Sequence, residues 1–78
     1  MFEDLDVVKS LVAVPAEGVD AAVRAGQVGT VVSVFEAPRE GYLVEFSDDD
    51  GQTLAMPTML PEELEFVWRQ GQPVKRAA

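Results

Sequence analysis

The chain has 78 residues and a formal net charge of −8, and it contains neither cysteine nor histidine. Those two absences exclude a disulfide framework, a thiolate or imidazole metal site and the commonest general base. The length allows one domain with a small core, in which a pocket of several hundred Å³ is not expected, so the inventory points away from an enzyme.

All 14 acidic residues lie between Glu3 and Glu65. Residues 1–70 oppose them with only Lys9, Arg24, Arg39 and Arg69, giving a body of −10, and Lys75 and Arg76 then return +2. An acidic body repels phosphate backbones, which disfavours nucleic acid. Such a surface serves solubility or complements a basic partner. No apolar run approaches the ~20 residues of a membrane span. Met1-Phe2-Glu3-Asp4 places acids where a secretory signal would be positive, so a cytoplasmic location is expected.

In chain order, Leu5–Val12 reads as a first strand, stopped by Pro15, which has no N–H for a ladder. Residues 16–26 form a long connection. Its segment Gly18–Gly26 places Val19 and Val23 at i,i+4, but the bracketing glycines favour an ordered loop over a helix. Gln27–Phe35, β-branched almost throughout, is the strongest strand. Gly26 and Gly29 at its start suggest a positive-φ turn followed by a bulge or close backbone contact. After a turn enclosed by Pro38 and Gly41, Tyr42–Phe46 is a third strand with Tyr42, Val44 and Phe46 on one face. Ser47–Gly51 is a hairpin loop. Gln52–Met56 returns as a fourth strand, with Leu54 and Met56 inward, and Pro57 ends it. Leu60–Leu64 reads as one helical turn opened by Pro61, with Leu60 and Leu64 pointing down. Glu65–Trp68 is a short last strand, and residues 71–78 read as a flexible tail. Five short strands suit a small barrel over residues 1–70, because closure removes edges that would otherwise aggregate.

The run Gly26-x-x-Gly29-Thr30-Val31-Val32 resembles the KOW-type element of SH3-like barrels. The order of Leu5-Asp6-Val7-Val8, that glycine motif, Tyr42-x-Val44-Glu45-Phe46, the Asp50-Gly51 hairpin and Leu60-Pro61 before Leu64 resembles the short bacterial proteins of the DUF4926 family, over roughly residues 4–68. The resemblance implies an all-β fold: a small five-stranded SH3-like barrel with one short helical turn before the last strand. It brings no catalytic residues and no cofactor. It also implies a pairing with a neighbouring gene product of the toxin–antitoxin kind. KOW-type RNA contact would follow from the glycine motif, but its flanks carry Gln27, Thr30 and Ser33 and no cation nearer than Arg24. The aromatic-rich signature of peptide-binding SH3 domains is missing, so proline-rich ligands do not transfer.

Among individual residues, Asp48-Asp49-Asp50-Gly51 lacks the alternate spacing and distant glutamate of a calcium loop. It reads as a solvated tip, or as a contact for a partner's arginines. Phe66 and Trp68 share a face. Phe66 is expected in the core, while the indole is large for so small an interior. Tyr42 is expected with its hydroxyl at a rim, and Glu62, Glu63 and Glu65 as a charge set that extends the acidic surface. The expected partner-binding residues are thus Asp48, Asp49, Asp50, Glu62, Glu63, Glu65, Tyr42 and Trp68. The expected function is a non-enzymatic protein-binding module, of antitoxin or immunity type, for a basic partner. The alternatives are an accessory subunit of an enzyme complex or a KOW-type RNA binder, and a homodimer is left open.

Overall fold

The computed structural model describes residues 1–72, so most of the expected tail lies outside the described residues. Six strands follow one another: β1 (Val7–Ser10), β2 (Val28–Phe35), β3 (Gly41–Ser47), β4 (Thr53–Ala55), β5 (Thr58–Met59) and β6 (Leu64–Trp68). A 3₁₀ turn, Pro61–Glu63, precedes the last. The all-β expectation holds.

All ladders are antiparallel and their path is β4–β3–β2–β1–β6, with β5 also on β3. Among the described residues no ladder joins the two ends of that path, so the sheet they form is not closed. The break comes at Pro57. The expected fourth strand appears as β4, pairing Ala55 with Phe46, and beyond Pro57 an unpredicted two-residue β5 pairs Met59 with Tyr42. Neither piece presents a ladder to β6.

Alternation builds the core. Tyr42, Val44 and Phe46 are fully buried along β3 as their spacing requires, and they meet Val8, Val23, Val31, Ala55, Met59 and Leu64. Two apolar expectations are overturned. Leu54 and Met56 are each 38% exposed, and Ala55 between them points inward. A bulge at Phe46/Ser47 shifts the register, and a one-residue shift exchanges the two faces of a strand. Phe66 is 41% exposed and Leu64 fills the interior in its place. Phe66 stands opposite Val8 as Leu64 stands opposite Ser10, and the Arg69 guanidinium lies 5.3 Å from the Phe66 ring centre.

The long connection is an ordered ribbon rather than a helix. Val14 and Val23 exchange backbone hydrogen bonds, and so do Glu17 and Asp20 around the Gly18–Val19 tip. Val23 is buried while Val19 is fully exposed, so the two do not share a face.

The glycine motif is explained by packing. Gly26 turns at φ +92°, and a Cβ on Gly29 would lie 2.8 Å from the Glu45 carbonyl oxygen and 2.9 Å from the Phe46 ring. Its spacing therefore serves the crossing of β2 over β3, with no nucleic acid needed to account for it.

Candidate functional site

The expected contact residues fall into separate groups with different duties. Asp48 holds the hairpin together, its carboxylate accepting from the amides of Asp50 and Gln52, both at 2.9 Å. Asp49 and Asp50 project from the tip into solvent. Asp48→Ala should destabilise the domain by about 1 kcal/mol, the worth of such bonds. Asp49→Ala should stay within about 0.5 kcal/mol of wild type. Urea unfolding of the two variants checks the contrast. The three aspartates do not converge on a point, and among the described residues no group of three carboxylates is arranged to hold a metal ion.

The glutamates near β6 are engaged as well. Glu62 pairs with Arg39 at 3.0 Å and Glu65 with Lys9 at 3.4 Å, both at the surface. Glu63 accepts the Leu60 amide at 2.9 Å while its own amide donates to the Leu60 carbonyl, which sets the 3₁₀ turn. Strands β4 and β6 are the two ends of the sheet path, so the hairpin and this cluster are not joined by a ladder.

Tyr42 lies in the core as its spacing requires, and this removes it from the expected contact residues. It is fully buried, and its hydroxyl donates to Glu40 and accepts from the Phe2 amide at 3.1 Å. The Phe2 ring meets it edge-on at 5.1 Å. Burial, and then the Glu40 carboxylate, push the phenol pKa above its ordinary value. It offers a partner no surface. Trp68 is half-buried, with its indole N–H donating to the Gln72 carbonyl at 3.2 Å.

Sequence reasoning missed the most buried charge. Asp6 is fully buried and receives Arg69 through both oxygens, Nε and Nη2 each at 2.9 Å. The Glu3 amide donates to the same carboxylate at 2.8 Å, and the Glu3 side chain reaches Arg69 at 3.3 Å. The guanidinium bonds outweigh burial and hold the Asp6 carboxyl below its usual range. No local pattern could reveal a pair 63 positions apart.

The second omission is a groove of about 420 Å³ between the 14–23 ribbon and residues 55–58, despite the expectation that so small a domain would lack one. Val14, Pro15, Val23, Ala55 and Pro57 make its apolar walls, and among the described residues Glu17 and Asp20 are its only ionisable lining groups. Asp20 accepts the Met56 amide at 3.1 Å, which turns its carboxylate toward the β4 side. Two carboxylates and the Thr58 hydroxyl are the polar side chains available there, a set suited to binding cations or donors.

No curated protein and no solved structure matches the chain. A family model does match, over residues 4–67, and its limits agree with the ordered strands: it begins at the Asp6 turn and ends within β6. The chain belongs to the family described as a domain of unknown function, DUF4926.

Proposed function

We propose that the domain is a non-enzymatic protein-binding module that presents an acidic surface to a basic partner, of the antitoxin or immunity type and working in the cytoplasm. The observation that carries this reading is the imbalance of its charges. Of the four cations in residues 1–72, Lys9, Arg39 and Arg69 are already engaged by Glu65, Glu62 and the Asp6–Glu3 pair. Among the described residues, ten of the 14 carboxylates have no ion-pair partner. Such a field favours fast, oriented encounter with a positive surface and disfavours nucleic acid.

The fold belongs to the same proposal. We read it as a five-stranded SH3-like barrel, supported by the β6–β1–β2–β3–β4 order and by the 3₁₀ turn before the last strand, with β5 as an added short piece.

The immobilised domain should retain a protein from host extract at about 50 mM salt and release it toward 1 M, where the Debye length falls to about 3 Å. The product of the adjacent gene is the first candidate to test as a purified protein. A partner held in fixed stoichiometry regardless of salt would favour an accessory subunit instead. Retention of nothing at low salt would refute the module.

A further inference from the structure

The groove between the 14–23 ribbon and residues 55–58 is a docking site with a definable occupant. We propose that it takes an extended segment of a partner protein in which an arginine or lysine stands next to an apolar side chain, the cation lying on Glu17 and Asp20 and the apolar group on the Val14–Pro57 wall. This rests on the protein-binding reading above and names its surface.

Three observations carry it. The first is charge. Glu17 and Asp20 face each other across the ribbon, and cross-strand neighbours project to the same side. Asp20 is turned to the groove by its bond to Met56, so Glu17 is brought to the same rim. Neither has an ion-pair partner among the described residues, and the nearest cation in sequence, Arg24, lines a different hollow with Gln27. Two carboxylates above apolar walls concentrate negative potential where no cation of the fold answers it.

The second is shape. A space of about 420 Å³ lies within the range of about 300–1,000 Å³ in which ligands are held, but its sides are surface segments rather than a closed cavity. Pro15, Ala21 and Met56 on its lining are all exposed. An open trough between two lengths of extended backbone fits a chain segment better than an enclosed small molecule.

The third is rigidity. The ribbon is tied within itself at Val14/Val23 and Glu17/Asp20, and across to β4 by the Ala21 amide on the Leu54 carbonyl at 2.9 Å. Buried Val23 anchors its base in the core. The trough is therefore formed before a ligand arrives, which lowers the ordering cost of binding.

The test uses the whole ¹⁵N-labelled chain and two synthetic peptides, Ala-Leu-Arg-Val-Arg-Leu-Ala and its counterpart with glutamate in place of arginine. The arginine peptide should shift the amides of residues 14–23 and 54–58 in a saturable manner, and the glutamate peptide should not. Glu17→Lys should weaken binding at least tenfold. Ala21→Tyr, which fills the trough without changing its charge, should do the same, while both variants keep the wild-type amide spectrum elsewhere. Shifts centred on Asp49 and Asp50 instead would overturn the groove but leave the acidic module standing. So would a purified basic partner that binds both variants with wild-type affinity. No saturable shift anywhere with the arginine peptide overturns the groove, whereas the module itself fails only if host extract yields no partner at low salt.

Discussion

Alanine at position 29 is expected to destabilise the domain by about 2–3 kcal/mol, the upper part of the range for a group forced into a filled core. The added Cβ would lie 2.8 Å from the Glu45 carbonyl oxygen and 2.9 Å from two atoms of the Phe46 ring. The first of these is backbone in the middle of β3, so it cannot move without disturbing the central ladder. The second belongs to a fully buried ring that packs among other core side chains. A domain of this length has a total stability of about 4–12 kcal/mol, so the loss is a large share of it. Urea unfolding of Gly29→Ala should show a lower midpoint with an unchanged slope. Combining it with Phe46→Leu should give a loss smaller than the sum of the two, because the shorter side chain vacates part of the contested space. Strict additivity would mean that the ring is not what Gly29 makes room for.

Asp6→Asn is expected to cost about 2 kcal/mol near neutral pH, the scale of hydrogen bonds made to charged groups. The variant keeps the shape of the side chain but removes the charge that Arg69 grips with two bonds. The effect has a defined pH dependence. Because the folded-state pKa of Asp6 lies below its ordinary 3.8, the unfolded chain binds the proton more readily than the folded one. The stabilisation is therefore complete above that value and is lost as pH falls through the lower folded pKa. The measurement is the difference in urea stability between wild type and Asp6→Asn, taken from neutral pH into acid. Taking the difference removes whatever the two proteins have in common. The gap should stay level down to about pH 4 and narrow below it. A gap that persists unchanged into strong acid would remove charge from the explanation.

Elements written in local patterns were legible in the sequence. The β-branched run of β2, the Tyr42/Val44/Phe46 face, the Asp50-Gly51 hairpin and the turn after Pro61 each follow from side-chain period or backbone restriction, and each stands where those rules put it. What failed depended on register. Nothing near Leu54 announces the bulge at Phe46/Ser47, yet that single offset decides that Ala55 rather than two larger neighbours faces the core. Phe66 is a separate case: it stands opposite Val8, but its ring lies against the Arg69 guanidinium, whose place is set by Asp6 at the other end of the chain. The candidate site was the least legible. Its acids were counted correctly, but their individual duties appear only once partners are in place. Asp48 and Glu63 shape turns, Glu62 and Glu65 meet cations, and Asp6 is interior. Glu17 and Asp20, which no motif singled out, acquire meaning only from the trough that the ribbon forms with residues 55–58.

The position of β1 has a consequence for how the chain acquires its structure. This strand pairs on one side with β2 and on the other with β6, the last of the described strands in chain order, and the Arg69 clasp on Asp6 lies just beyond. Until β6 and Arg69 have left the ribosome, the second edge of Val7–Ser10 has nothing to bond to and the Asp6 carboxylate has no guanidinium. The β2–β3–β4 ladders do not involve β6, but the second edge of β1 is not covered until β6 is available. Completion thus waits for β6 and Arg69, and in that interval an open strand edge and an unpaired carboxylate are exposed together. The charge that Arg69 later neutralises can keep that edge from pairing with another nascent chain, since charged groups on a free edge are a common guard against such association.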